Sequence, residues 1–489
     1  MITLRPHQDR AIEMLRHSFR TGHRTPMVAA PCGYGKTVLA AWILKEVQDR
    51  GGKGLFVCDR LKLLDQTIEA FKNAGIKYGV IQADHWEADP SAPIQIASVQ
   101  TLLRRRHMPQ FSIAVVDEAH ILYKGLTKII QEWDLIKFIG LSGTPYTAGL
   151  GKIYDDLLVP ITPRELLEQN YLCPVDYYAG KKPDVASVKM RKVATGGSDY
   201  DPTELAAAIE RDHVLTGDII ENYLRHAAGT KAIAFTPSIM HSKTLTEQFN
   251  QAGISAAHID GYMGVDERQY IYDGHKQGLY QILVCSRLLG IGFDDPTIVT
   301  EIDAYPTSKM AVWVQRCARI WRTHPSKTKA IYLDHSGNLA RFGRFPEDIV
   351  PYTLDKGDRR FNEKKLVKQE RERKVRECPQ CTQEFLGLKC KCGYEITISK
   401  ELLTDGQILE KCEDPKRVKE RWMSELLFYA GAKGYWDGWA SKVYTEKFKE
   451  PPGDMPHPAH LVSEDVKKYI QHRNIKYAAR KHRQAIRQG

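Results

Sequence analysis

Between residues 27 and 333, short runs of Val, Ile, Leu and Phe recur, each followed by a stretch with helical periodicity. The runs fall at 27–30, 54–58, 94–97, 113–116, 138–142, 232–235, 281–285, 298–302 and 330–333, and none alternates with polar residues. A strand with one wet face would alternate. A run that is apolar at every position predicts a strand covered on both faces, as in parallel sheets flanked by helices. The pattern therefore predicts an α/β chain with parallel sheets. It comes in two blocks of similar size. Between them, residues 180–202 carry Lys181, Lys182, Gly196, Gly197 and Ser198 without periodicity and read as a linker or mobile loop.

After Pro351 the pattern changes to a charged helical run at 359–377, a cysteine cluster, and a helical region rich in Trp, Tyr, Lys and Arg. A length of 489 residues fits this count of units, at about 150 residues per domain. With 42% hydrophobic and 27% charged residues, a largely disordered chain is excluded. No apolar run reaches the ~18 residues of a membrane span, and Arg5 and Arg10 interrupt the place of a signal-peptide core. A cytoplasmic protein with no membrane partner is expected. The net charge is +11, but residues 1–355 hold 41 Lys+Arg against 40 Asp+Glu, and residues 356–489 hold 30 against 20. The basic excess belongs to the C-terminal appendage and points to a polyanion, with a solvated surface as the alternative.

Ala30-Pro31-Cys32-Gly33-Tyr34-Gly35-Lys36-Thr37 follows a predicted buried strand and precedes a helical run. That is the context of a phosphate-binding loop. Gly33 and Gly35 allow backbone N–H groups to curl around phosphates at a helix N-terminus, Lys36 neutralises the β/γ oxygens, and Thr37 can ligate Mg²⁺. Ala30 stands where the first glycine is usual. In Asp117-Glu118-Ala119-His120, two carboxylates end another buried strand. Asp117 can hold Mg²⁺ through water, and Glu118 can orient and deprotonate an attacking water.

Taken in order, these segments resemble superfamily 2 DEAD/DEAH-box helicases. Leu4-Arg5-Pro6-His7-Gln8 is similar to the Q motif, which implies that Gln8, with Arg5 beside it, reads the adenine edge by a bidentate amide contact. Ser142-Gly143-Thr144-Pro145 resembles motif III. Cys58-Asp59-Arg60 and Ala97-Ser98-Val99-Gln100-Thr101 resemble motifs Ia and Ib, whose contacts with the tracking strand would fall to Arg60, Ser98, Gln100 and Thr101. Thr236 falls in a motif IV match. Ser286 to Asp294 match motif V, with Ser286 on the nucleic-acid side and Gly292 and Asp294 on the nucleotide side. Gln315-Arg316-Cys317-Ala318-Arg319-Ile320-Trp321-Arg322 is similar to motif VI, with Ala318 for glycine. By that match Gln315 is catalytic and Arg319 and Arg322 are arginine fingers, three apart and sharing a face if helical. The ending Tyr332-Leu333-Asp334-His335-Ser336-Gly337-Asn338 resembles RadD-like repair helicases and related phage-encoded helicases.

The resemblance covers about residues 2–345 and implies two RecA-like lobes, at 1–179 and 206–355, joined by the linker 180–205. A charged helical linker (356–377), a zinc-binding four-cysteine module (378–394) and a basic, aromatic-rich helical domain (395–489) would follow. Cys378, Cys381, Cys390 and Cys392 suit one structural Zn²⁺, with free cysteines or a cluster borrowing Cys412 as alternatives. Trp422, Trp439, Tyr444 and their neighbours either stack on unpaired bases or form the core of a small helical domain. The basic extreme end, including Arg473 and Arg480, reads as a backbone-binding arm. The expected activity is an ATP- and Mg²⁺-dependent DNA helicase or translocase acting on single-stranded, forked or branched DNA in replication, recombination or repair, with a single-stranded-DNA-binding or repair protein as a further partner. The alternatives are an RNA helicase, a nucleotide-switched annealing factor, and the motor subunit of a restriction or defence complex.

Overall fold

The structure is a computed structural model. It describes residues 2–344 except 59–60, 82–87, 105–109, 181–182, 184, 186, 193–197, 213–218 and 287–294. It also describes 352–356, 376–377, 384–385, and 408–473 except 413–414, 437, 449, 454–455, 464–465, 468 and 472.

The first lobe is built on seven strands: β1 (Pro26–Ala29), β2 (Gly54–Cys58), β3 (Tyr78–Ile81), β4 (Ile94–Ser98), β5 (Ile113–Val116), β6 (Lys137–Ser142) and β7 (Asp156–Leu158). They pair in the order β3-β4-β2-β5-β6-β1-β7, all parallel. The central strands are buried along almost their whole length, as an unbroken apolar run requires when helices cover both faces. β2 and β5 keep the bounds expected from the sequence. β3, β7 and the later strand β8 (Val175–Ala179) carry polar or half-exposed positions, so no apolar run announces them.

β8 belongs to the second sheet, pairing with β15 (Ala330–Asp334) from Val175↔Ala330 to Ala179↔Asp334. The chain thus crosses to the second lobe before residue 175, earlier than the expected boundary at 179. The supposed linker also carries a hairpin, β9 (Met190–Lys192) with β10 (Ser198–Tyr200). Asp199 ties it to the second lobe by accepting from Thr307 Oγ1 at 2.6 Å and Ser308 N at 2.8 Å. The remaining strands are β11 (Ala232–Thr236), β12 (Ala256–Asp260), β13 (Ile282–Ser286) and β14 (Thr300–Asp303). The parallel order runs β12-β13-β11-β14-β15-β8. Residues 352–356 return to the first lobe: Gly151 N donates to Asp355 O at 2.9 Å, and Tyr146 lies 5.4 Å from Tyr352, ring to ring.

Residues 411–489 form a separate compact unit. Its helices Pro415–Lys433 and Trp439–Phe448 close on Trp422, Met423, Leu426, Trp439, Val443 and Tyr444, with Val466 and Ile470. Trp422 meets Phe448 and Tyr469 edge to face, and Lys447 Nζ lies 4.8 Å from the Trp422 ring centre. Of the two readings of these aromatics, Trp422, Trp439 and Tyr444 follow the core one, while Tyr435 and Trp436 stay exposed. Among the described residues, no helix is long and apolar enough to cross a membrane.

Candidate active site

β1 runs into a loop that turns twice through left-handed backbone, at Gly33 (φ 79°) and Gly35 (φ 85°), before the helix Lys36–Asp49 starts. Both glycines are required by space as well as by φ. A Cβ on Gly33 would lie 2.8 Å from Leu172 Cδ2, and one on Gly35 would lie 2.6 Å from Gln8 Nε2. The turns leave the first N–H groups of the helix open, the geometry that takes phosphate oxygens. Pro31 O accepts from Tyr34 N at 3.1 Å, and the Tyr34 side chain is wholly buried, so Tyr34 anchors the loop from within.

Lys36 ion-pairs with Glu118 Oε1, and its Nζ is 3.6 Å from Asp117 Oδ1. Burial works against the lysine charge, yet Glu118 and Asp117 outweigh it and hold its pKa above the usual value. Burial raises Asp117, helped by Glu118 next to it. For Glu118, burial is outweighed by Lys36, His120 and Arg319, which together hold it below the usual carboxylate range. Glu118 also has φ 47°, one of two non-glycine residues with positive φ among those described. A glutamate held in left-handed backbone carries strain of the kind that clusters at functional sites.

His120 joins the two lobes. Its Nε2 lies 3.2 Å from Gln315 Nε2, its Nδ1 3.1 Å from Ser142 Oγ and 3.3 Å from Glu118 Oε2. An amide nitrogen can only donate, so His120 Nε2 is the acceptor and Nδ1 carries the proton shared toward Ser142 and Glu118. Ser142 Oγ also accepts from Thr144 N at 3.1 Å, which ties motif III to the same relay. Two further contacts cross here: Cys32 Sγ to Ala318 O at 3.4 Å, and Cys173 N to Trp321 O at 2.8 Å.

The helix Met310–Cys317 ends before the two finger candidates. Arg319 and Arg322 lie on the turn and bend that follow, where Arg319 N and Ile320 N make i→i+3 bonds to Arg316 O and Cys317 O. The expectation of a shared helix face is therefore corrected: the arginines are placed by a tightened turn pinned through Ala318 and Trp321. Arg319 still reaches the nucleotide side, since its charge acts on Glu118.

Gln8 is 1% exposed, and its amide is turned to the loop: Oε1 accepts from Arg5 N at 2.9 Å, while Nε2 donates to Tyr34 O at 3.0 Å and Gly35 O at 3.1 Å. Arg5 Nη1 donates to Gly33 O at 3.0 Å. Thr37 lies half-buried in the first turn of the helix. Asp117, Thr37, Lys36 and the glycine turns fit a Mg²⁺-nucleotide. Mg²⁺ in such sites takes few protein ligands, so the lack of any three-residue His/Cys/Asp/Glu cluster among the described residues does not conflict with it.

On the nucleic-acid side, Ser98 Oγ lies 2.9 Å from Thr101 Oγ1 and accepts from Thr101 N, while Gln100 is exposed. Thr236 and Ser286 are register partners at the ends of β11 and β13, both buried, with the Thr236 hydroxyl on Cys285 O. Arg60, Gly292, Asp294, Cys378, Cys381, Cys390 and Cys392 lie outside the described residues.

Two groups escaped sequence reasoning. Tyr171 packs its backbone on Gly33, and its ring lies 4.5 Å beneath Arg5 Cζ. Arg316, beside the expected residues of motif VI, is fully buried: its Nη1 meets Asp303 Oδ1 at 2.9 Å and Tyr305 O at 2.8 Å. Burial would lower the Arg316 pKa, but Asp303 more than restores it. Nearby Glu301 is pushed well above the carboxylate range, by burial first and Asp303 second. The only sequence signal was the basic residue next to Gln315 and an Asp at a strand end.

Two RecA-like lobes, a phosphate loop, a strand-end acid pair and a second-lobe arginine turn define a superfamily 2 helicase core. Residues 1–147 match the family "Type III restriction enzyme, res subunit", and residues 216–324 match "Helicase conserved C-terminal domain". The chain is a superfamily 2 helicase of this type, and these are families of ATP-hydrolysing enzymes. It is 25% identical over 430 residues to a 51.5 kDa protein of a Lactococcus phage, covering 84% of this chain and 87% of that one. It is 24% identical over 365 residues to IRC3 of Saccharomyces cerevisiae, described as an ATP-dependent helicase, covering 68% of this chain and 51% of the relative. The chain therefore spans about half the length of the yeast protein. Among solved structures, a fragment described as the HsdR subunit of a type I restriction enzyme from Vibrio vulnificus superposes with a TM-score of 0.54 at 17% identity, over 71% of this chain and 66% of that one, a likeness of fold.

Proposed function

We propose that the chain is a nucleic-acid-stimulated ATPase that moves along DNA and separates or remodels forked or branched structures in replication, recombination or repair. The observation that carries the proposal is the contact of Gln315 with His120, whose other nitrogen faces Ser142 of motif III and Glu118. Bound ATP with Mg²⁺ supplies the phosphoanhydride to be broken. Lys36 leaves its ion pair for the phosphates, Asp117 and Thr37 hold the ion, and Glu118 takes the proton of the attacking water. Arg319 and Arg322 neutralise developing charge only when the lobes meet, which couples hydrolysis to lobe closure. Lys36→Ala and Glu118→Gln should each abolish ATP hydrolysis stimulated by single-stranded or forked DNA. Full activity in either purified variant overturns the proposal, and stimulation by RNA alone overturns the DNA substrate.

A second reading is favoured by the restriction-enzyme name of the first-lobe family: the chain as motor subunit of a restriction or defence complex. Translocation without strand separation on a fork would select it, and nucleotide-dependent annealing with neither would select the annealing factor. We further propose that Cys378, Cys381, Cys390 and Cys392 hold a structural Zn²⁺ and that the basic C-terminal unit adds DNA or protein contacts. In support, Arg376–Glu377 pairs antiparallel with Glu384–Phe385, so the first two cysteines fall in the connection of a hairpin. A metal content well below one zinc per chain refutes this site.

A further inference from the structure

An amide side chain has one carbonyl and two N–H groups, and reading adenine through its edge takes one of each. In Gln8 both N–H groups are spent on the carbonyls of Tyr34 and Gly35, inside the phosphate loop itself, and the carbonyl takes Arg5 N. The side chain is 1% exposed and lies against the space a Cβ on Gly35 would occupy. Freeing it for a base would open two hydrogen bonds in the loop that must keep its shape around the phosphates. Gln8 is placed as a brace.

A different surface lies beside the loop. Tyr171 is fixed to it by its own backbone, since its carbonyl oxygen would be 3.1 Å from a Cβ on Gly33. Its ring is met edge-on by His7, 5.2 Å away, and covered by the Arg5 guanidinium at 4.5 Å. Arg5 is anchored to Gly33 O by one nitrogen and is otherwise exposed. The stack His7–Tyr171–Arg5 thus rises from the phosphate loop and ends in a solvent-facing cation held flat by an aromatic ring. Such a face takes any base, because every base has a π-face and stacking does not depend on edge groups.

We propose that this helicase holds the base of its nucleotide by stacking on the Arg5–Tyr171 platform, with Gln8 bracing the phosphate loop, and so accepts purine and pyrimidine triphosphates with little discrimination. The inference rests on the ATPase reading above. A site that hydrogen-bonds a base edge rejects wrong bases by large factors, whereas a stacking platform does not.

The test compares DNA-stimulated hydrolysis of ATP, GTP, CTP and UTP by the full chain and by Tyr171→Ala, Tyr171→Phe and Gln8→Ala. The four kcat/KM values should agree within roughly ten-fold. Tyr171→Ala should raise KM for all four by about ten-fold with kcat little changed, and Tyr171→Phe should restore KM, as stacking requires. Gln8→Ala should lower kcat for all four alike. An ATP preference above roughly ten-fold that Gln8→Ala removes, or an unchanged KM in Tyr171→Ala, overturns the proposal. If the wild-type chain hydrolyses none of the four, the ATPase reading fails by itself. Binding of fluorescent ATP and CTP analogues then decides the platform: similar affinities support it, and a strong preference for the ATP analogue refutes it.

Discussion

Replacing Arg316 by Met should destabilise the second lobe by about 3 kcal/mol, the low end of the cost of breaking a buried ion pair. Arg316 is 2% exposed, and its nearest charge, Asp303, is completely buried. The methionine keeps most of the aliphatic volume over Phe235 and Tyr305, so the loss is chiefly electrostatic. What remains is a carboxylate without its cation, beside Glu301 and Asp334. It keeps four neutral donors: Tyr332 Oη at 2.5 Å, Asn338 Nδ2 at 2.8 Å, Ser336 Oγ at 3.1 Å and Tyr305 N at 3.1 Å. Those donors place the cost at the low end of the range. Removing the charge as well, in Arg316→Met/Asp303→Asn, should recover more than half of it, because the penalty belongs to the orphaned charge. Hydrogen exchange of the β14 and β15 amides across a urea series reads the lobe directly, without assuming that the whole chain unfolds in one step. A single-variant loss under about 1 kcal/mol, or a double variant no more stable than the single one, would refute the reasoning.

Gln315→Ala should lower kcat by about ten-fold while leaving nucleotide KM nearly unchanged, as for a contact made on closure; a change confined to KM contradicts this role. Burial pushes His275 and His335 down to about 4, so the unfolded chain binds protons below 6.5 that the folded chain refuses. Stability from each should rise by about 3 kcal/mol as pH climbs from 4 to 6.5 and then level off. Asp334, raised by burial to about 6, opposes one of them, since the folded chain binds its proton between 3.8 and 6. Urea midpoints should therefore still increase from pH 4.5 to 7, and a flat or falling trend contradicts the assignment. Removing residues 411–489, which hold 17 Lys+Arg against 10 Asp+Glu, should weaken DNA binding and flatten its salt dependence with little effect on basal ATP hydrolysis. The cut spares Leu409, whose N–H meets Asn222 Oδ1 at 2.7 Å, and an unchanged salt slope would assign the charge another role.

What was legible in the sequence follows a physical rule. The phosphate loop and the Asp117-Glu118 pair were readable because each is local: glycines where the backbone turns left-handed, and acids at the end of a strand apolar throughout. β2 and β5 appeared to the residue for the same reason, being covered on both faces. β3, β7 and β8 are mixed in polarity, so their membership depends on partners far along the chain; β8 is settled by β15, more than 150 residues later. The arginine turn was misplaced onto a helix because a three-residue spacing fits a helix and a tight turn alike. Gln8 is the hardest case. Its position at the start of a predicted helix suited a residue facing a ligand, and only the fold shows its two donors spent on carbonyls 26 and 27 residues away. A motif identifies which side chain is present and roughly where. Which of its hydrogen bonds remain for a ligand is a question about everything else that touches it, and for Gln8 the loop it supports has already used both donors.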